Sequence, residues 1–108
     1  MNQLDNPLPC SFLIRADTGE QIQLNCSPYL IGREIGAVSY CMAESPRVSR
    51  RHAVFQMENG QWNIIDRNST NHTYLNDRLL DPGVSCPLRD GDQIRLGTER
   101  FVFREGCA

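Results

Sequence analysis

The sequence contains no lysine. All eleven basic residues are arginine, and with thirteen acidic residues the formal net charge is -2. A duplex-binding protein normally carries a positive bias over the whole domain, so the slight acidic excess disfavours a nucleic-acid backbone as partner. Four arginines nevertheless fall between residues 33 and 51, and three of them fall within five residues. Positive charge focused in one short region favours a small anionic target.

Long apolar runs are also absent. No segment approaches the roughly 18 apolar residues that span a membrane, and residues 1–6 lack the basic and apolar regions of a secretory signal. We therefore expect a cytoplasmic protein whose domain makes no membrane contact. A chain of 108 residues is long enough for one domain to bury its own core.

The cysteines form no CxxC pair. Their odd number and wide spacing argue against a disulfide framework and for reduced thiols; they are Cys10, Cys26, Cys41, Cys86 and Cys107. Cys41 and His52 lack the two further regularly spaced ligands that zinc requires. As a nucleophile and its base, the same two residues define no catalytic spacing. We therefore expect no metal, no cofactor and no enzymatic activity.

No segment shows a 3.6-residue apolar stripe over ten or more residues, which argues against long amphipathic helices. Short alternating runs instead recur at intervals of about 8–12 residues with turn signals between them, as in an all-β sandwich or barrel. The clearest hairpin covers residues 52–66, where Asn59-Gly60 is the favoured dipeptide of a type I′ turn. Its register pairs Phe55 with Ile64 and Gln56 with Asn63.

Three loop segments hold the remaining polar chemistry: residues 33–39, 43–51 and 66–72. They contain the arginine cluster and the run Asn68-Ser69-Thr70-Asn71. Functional residues often lie on loops held by rigid strands, and guanidinium, hydroxyl and amide groups are suitable donors to a phosphate dianion. The alternatives at this point are a solvated arginine face and a Ser49 nucleophile with His52 as its base.

Four motifs in order resemble those of the forkhead-associated (FHA) domain: Gly32-Arg33, then SRRH at 49–52, then STNHTYLN at 69–76, then Asp90-Gly91-Asp92 with Leu96-Gly97. The resemblance covers roughly residues 12 to 104. It implies an all-β, SMAD/FHA-like sandwich of about eleven strands with the binding loops at one end. Residues 1–11 then form an N-terminal extension, and residues 105–108 form a C-terminal tail.

The resemblance also implies a function. FHA domains are non-catalytic modules that bind phosphothreonine in partner proteins for signalling or scaffolding, usually as part of a larger multidomain protein. The stretch from Arg33 to Arg47 is most similar to FHA modules of bacterial proteins. The expected partner is therefore a phosphothreonine-containing protein or peptide, and not nucleic acid.

Residue roles carry over from the family motifs. The resemblance implies that Arg33 pairs with the phosphate, that Ser49 donates its hydroxyl and that Arg50 is the second cation. It makes Thr70 a further donor and Asn71 the amide that holds the peptide main chain. The side chains implied to brace loops are His52 and Asn76. The role of Arg51 stays open between solvent exposure and contact with acidic peptide residues.

His72 departs from the family pattern, which usually has glycine after the asparagine. Histidine visits left-handed backbone conformations more often than most non-glycine residues, so the loop can keep its shape. The imidazole either obstructs the peptide or adds a pH-dependent contact. His72 is the main support for one alternative, an FHA-like fold that binds its partner without phosphate. A nucleic-acid-contacting β domain is the alternative of another class.

Overall fold

The structure, a computed structural model, describes residues 10–106. This part of the chain contains eleven strands and no helix. The strands are β1 (Phe12–Arg15), β2 (Gln21–Gln23), β3 (Tyr29–Gly32), β4 (Tyr40–Cys41), β5 (Ala53–Glu58), β6 (Gln61–Asp66), β7 (Thr73–Leu75), β8 (Arg78–Leu79), β9 (Cys86–Pro87), β10 (Gln93–Leu96) and β11 (Glu99–Arg104).

The strands form two sheets that pack as a sandwich. One sheet has six strands in the order β2-β1-β11-β10-β7-β8, and the other has five in the order β4-β3-β5-β6-β9. All neighbouring strands are antiparallel except β3 and β4, which are parallel. The predicted all-β sandwich of about eleven strands is confirmed.

The β5–β6 hairpin has the predicted register. Phe55 pairs with Ile64, and Gln56 pairs with Asn63. Asn59 and Gly60 have φ values of 53° and 78°, as a type I′ turn requires at both central positions. Phe55 and Ile64 are fully buried, so this hairpin supplies part of the inner face of the five-stranded sheet.

The core lies between the two sheets. Because side chains alternate across each strand, every second residue points inward. The largest fully buried core side chains are Trp62, Phe55, Phe101, Phe103, Leu13, Leu24, Ile31, Ile64, Leu88, Ile94 and Leu96. Burying one such side chain contributes about 1.5–3 kcal/mol. This packing holds the ends of the strands, and therefore the loops between them, in fixed positions.

Strands β4 and β9 were not predicted. Each has two residues, which is too short to show alternation. Backbone contacts define β4, since Ser39 N–H donates to the Leu30 carbonyl at 2.8 Å and Met42 N–H donates to the Gly32 carbonyl at 2.8 Å. These two bonds hold the end of the 33–39 loop against β3.

The expectation of reduced thiols is wrong for Cys10, which is disulfide-bonded. Cys26, Cys41 and Cys86 are free thiols. The wide spacing of the cysteines along the sequence did not reveal this bond. Between residues 10 and 106 no group of three or more metal-ligating side chains occurs. No helix in that range is long and apolar enough to cross a membrane.

Candidate functional site

The three predicted loops meet at one end of the sandwich around an open cavity of about 500 Å³. The cavity is lined by Arg33, Glu34, Ser49, Arg50, Arg51, Asn68 and Thr70. Four of these seven residues carry a full charge, three positive and one negative. The structure therefore brings together most of the residues that the FHA motifs singled out.

Gly32 allows the first two loops to touch. A Cβ atom at this position would overlap the backbone carbonyl of Arg50. Without one, Arg33 N–H donates to the Ser49 carbonyl at 3.1 Å and Glu34 N–H donates to the Arg50 carbonyl at 3.2 Å. The Gly-Arg motif thus places Arg33 directly beside the Ser49–Arg51 backbone.

Ser49 joins the second loop to the third. The Thr70 N–H donates to Ser49 Oγ at 2.9 Å. A hydroxyl both accepts and donates, and the Ser49 hydroxyl donates no hydrogen bond to any of residues 10–106. The proton is therefore free to be donated to a ligand in the cavity.

Arg33 is held by one nitrogen and open at the others. Its Nε–H donates to the carbonyl of Val48, while its terminal nitrogens have no partner in the described part of the chain. The guanidinium of Arg50 also has none there, and both side chains are exposed. Two guanidinium groups with unused donors at one cavity match the planar, multidentate recognition of a phosphate.

Arg51 is partly neutralised. Its Nε lies 3.0 Å from Oε1 of Glu34, and the two side chains are 56% and 39% exposed. An ion pair this exposed contributes at most about 1 kcal/mol, so Arg51 can exchange partners readily. The sequence did not identify Glu34 as a lining residue, although it directly follows the Gly-Arg motif.

His52 is completely buried behind the cavity. Ser49 N–H donates to its Nδ1 at 3.0 Å, and its Nε2 lies 2.9 Å from the carbonyl of His72. Because a carbonyl only accepts, the proton resides on Nε2 and Nδ1 is the acceptor. Both ring nitrogens are thereby committed to the backbone, and neither is available to deprotonate the Ser49 hydroxyl.

Burial lowers the pKa of His52 below its ordinary 6.5, because removing the imidazolium from water costs free energy. The hydrogen bond to the His72 carbonyl and the nearby carboxylate of Asp66 act in the opposite direction, but less strongly. The neutral tautomer inferred from the hydrogen bonds is therefore the form present at neutral pH.

A buried carboxylate, which the motif comparison did not single out, anchors the third loop. Asp66 is 1% exposed. Its Oδ1 accepts from the hydroxyls of Ser69 and Thr73, and its Oδ2 accepts from Ser69 N–H at 3.2 Å. Three donors to one carboxylate fix both ends of the loop that carries Thr70. The only sequence signal was an aspartate at the end of an apolar strand, followed by hydroxyl residues.

The two asparagines have different places. Asn71 donates from Nδ2 to the Arg47 carbonyl at 3.0 Å and so ties the third loop to the second; it does not line the cavity. Asn76 lies at the other end of β7, where its Nδ2 donates to Asp92 at 3.0 Å and its Oδ1 accepts from Gln93 N–H at 2.9 Å. Its contacts brace the β7–β8 turn.

His72 has a φ of 68°, the left-handed conformation that glycine adopts without strain. Its carbonyl accepts from His52 and from Gly97 N–H, the latter at 3.0 Å. Its exposed ring meets the edge of Tyr74, with ring centres 6.5 Å apart. The backbone of His72 therefore belongs to the loop scaffold, while its side chain lies on the surface beside Asn71.

We expect His72→Gly to change the free energy of unfolding by less than about 1 kcal/mol, because relief of the left-handed strain offsets the lost ring contact. Affinity for a phosphothreonine peptide, the ligand that the FHA resemblance implies, should increase severalfold, since the ring beside Asn71 is removed. Calorimetric titration measures this. His72→Asn tolerates the same φ but keeps a side chain, and should stay close to wild type. A weaker glycine variant would show that the imidazole contacts the peptide.

The FHA domain family model matches residues 29–97, more than half of the chain and all of the cavity-lining residues. The chain belongs to the FHA domain family. Among curated relatives, the glycogen accumulation regulator GarA of Mycobacterium tuberculosis is 44% identical over 59 residues, which are 55% of this chain and 35% of GarA. The chain thus spans about a third of the length of this relative.

Solved FHA structures share the fold over most of the chain. One, from a structural and functional analysis of phosphothreonine-dependent FHA domain interactions, is 29% identical with a TM-score of 0.79, covering 92% of this chain and 99% of that chain. Another, Mycobacterium tuberculosis EmbR in complex with a low-affinity phosphopeptide, is 26% identical with a TM-score of 0.82, covering 93% of this chain and 25% of EmbR. The predicted FHA family and the predicted similarity to bacterial FHA modules are confirmed.

Proposed function

We propose that this FHA domain binds phosphothreonine in a partner protein, with the phosphate in the cavity formed by the three loops. One observation carries the proposal. The terminal nitrogens of Arg33 and the guanidinium of Arg50 have no partner in the described part of the chain, and the hydroxyl of Ser49, next to Arg50, donates no hydrogen bond there. A phosphate dianion supplies acceptors for all three groups.

The other residues have supporting roles in this proposal. Thr70 lies at the cavity wall and is a further hydroxyl donor, while Arg51 is an additional cation that the phosphate draws away from Glu34. Asn71 keeps its Oδ1 for the peptide main chain, since its Nδ2 already holds Arg47. His52 positions the Ser49 loop through the Ser49 amide.

The proposed role is non-catalytic. The geometry of His52 supports this, because a base for Ser49 would need a free ring nitrogen directed at the hydroxyl. Both nitrogens contact backbone groups instead. We further propose a cytoplasmic role in signalling or scaffolding as one module of a larger protein, in keeping with a relative that is named as a regulator and is about three times the length of the match.

Titration with three matched peptides that carry threonine, phosphothreonine or phosphoserine tests the proposal. We expect no measurable binding of the unmodified peptide. Phosphothreonine should bind several times more tightly than phosphoserine, since burying one methyl group contributes roughly 0.8 kcal/mol. Equal binding of the phosphorylated and unmodified peptides would contradict the proposal and favour phosphate-independent recognition by the same surface.

A further inference from the structure

Three polar residues form a second cationic surface on the outer face of the six-stranded sheet. Tyr74 on β7 pairs with Arg95 on β10, and Arg95 pairs with Arg100 on β11. The guanidinium carbon of Arg95 lies 3.8 Å from the centre of the Tyr74 ring, and its Nη1 donates to the Gly97 carbonyl at 2.8 Å. We call Tyr74, Arg95 and Arg100 the arginine ridge.

The two arginines of the arginine ridge form no ion pair with the described residues. Like charges directly opposite each other on neighbouring strands are destabilising, yet neither Arg95 nor Arg100 forms an ion pair within residues 10–106. Glu99 is already paired with Arg15. Asp77 shares with both arginines a depression of about 150 Å³, but it makes no ion pair with them. The two cations therefore keep unused donors toward solvent.

The arginine ridge is continuous with the candidate site. The Gly97 amide, between the two arginines in sequence, donates to the His72 carbonyl at 3.0 Å. The ring of His72 in turn meets the edge of Tyr74. Arg100 lies two strands from Tyr74, about 10 Å across the sheet, and Tyr74 lies three residues from Asn71, about 10 Å along the chain. Taken at right angles, these lengths place the far end of the ridge roughly 14 Å from Asn71, a distance that four to five extended residues cover.

We propose that the arginine ridge binds acidic side chains of the same partner segment that presents the phosphothreonine. The inference rests on the proposed function and adds a sequence requirement to it: carboxylates about five residues from the phosphothreonine. Charge complementarity favours this occupant. The depression of about 150 Å³, which the two arginines line together with Asp77 and apolar residues, has room for one carboxylate side chain, and the Tyr74 ring holds Arg95 beside it.

Three phosphopeptides with the same centre test the proposal by calorimetry. One has three glutamates placed four to six residues before the phosphothreonine, one has them at the same distance after it, and one has glutamine at all six positions. We expect one glutamate peptide to bind about fivefold more tightly than the glutamine peptide at low salt. The gain should shrink as salt is raised, and Arg95→Gln/Arg100→Gln should bind all three alike.

Arg89→Gln is the matched control, because Arg89 is exposed in the turn before β10, at the end of that strand away from Gly97. It removes the same charge and should keep the gain. Thermal melting checks the fold of each variant. If the double variant is unstable, Arg100→Gln replaces it, since Arg100 is exposed and its side chain makes no hydrogen bond or ion pair with residues 10–106.

The outcomes separate the two proposals. If the glutamine phosphopeptide binds and neither glutamate peptide gains affinity, or if the gain survives in the double variant, the ridge proposal is wrong and the proposed function stands. If no phosphopeptide binds, both are wrong. Binding of a single-stranded oligonucleotide that requires Arg95 and Arg100, without any gain from glutamate, would replace the ridge proposal by nucleic-acid recognition.

Discussion

Arg33→Ala should weaken phosphothreonine-peptide binding at least tenfold and leave the fold intact. Arg33 is exposed, and its side chain makes one hydrogen bond with residues 10–106, to the Val48 carbonyl. Its terminal nitrogens are the donors that a phosphate would engage. A charge-assisted hydrogen bond contributes about 1.5–3 kcal/mol, which corresponds to a tenfold or larger change in Kd. Calorimetry with one phosphopeptide measures the effect.

Two further variants separate charge from geometry. Arg33→Lys keeps the charge but loses the planar fork, so its affinity should lie between those of wild type and Arg33→Ala. Arg89→Ala removes an exposed arginine from the turn before β10, which does not line the cavity, and should bind like wild type. If Arg33→Ala and Arg89→Ala bind equally well, the cavity does not hold the phosphate.

The β5–β6 hairpin and the loop motifs could be predicted because each depends on local chemistry. Asn59-Gly60 demands positive φ at two successive residues, and both residues have it. The close contact at Gly32 could be predicted for a similar reason, since only a residue without a side chain lets the Arg50 backbone approach so closely. In both cases the identity of one or two residues determines the backbone geometry.

The parts that escaped prediction depend on contacts between segments far apart in sequence. Glu34 is an ordinary acidic residue until the Gly32 contact brings it beside Arg51. The role of Asp66 in holding the third loop follows only from the structure, in which three donors bond to its one buried carboxylate. The arginine ridge is likewise invisible in the sequence, because Tyr74 meets Arg95 only through the pairing of β7 with β10.

His52, the histidine of the SRRH motif, makes the kind of loop contact that the family resemblance implied. The resemblance implied that His52 braces a loop, and the structure places it between the amide of Ser49 and the carbonyl of His72. It therefore links the loop that carries Ser49 to the loop that carries His72. A change at His52 should alter both loops together.

His52→Ala should lower the free energy of unfolding by about 2–5 kcal/mol, because the Ser49 amide and the His72 carbonyl each lose a buried partner and a cavity forms. Phosphopeptide affinity should fall with it, since the Ser49 loop is released. Denaturant unfolding and calorimetry measure the two effects. A stable His52→Ala variant, together with turnover of an acyl or phosphoryl ester by wild type, would instead make His52 a base.

The stability that His52 contributes should depend on pH in a direction that follows from its pKa. Burial lowers the pKa of folded His52 below 6.5, so below that pH the unfolded chain binds a proton that the folded protein resists. The stability that His52 contributes is thus complete above pH 6.5 and is lost as the pH falls below it. The stability difference between wild type and His52→Ala should therefore shrink between about pH 7.5 and 5.5.

His72→Gly is the matched control, because it removes the only other histidine, which lies on the surface. Its free energy of unfolding should stay within about 1 kcal/mol of the wild-type value over this pH range. A difference for His52→Ala that grows as the pH falls would mean that the folded protein favours the charged imidazole, contrary to the hydrogen bonds that its two ring nitrogens make.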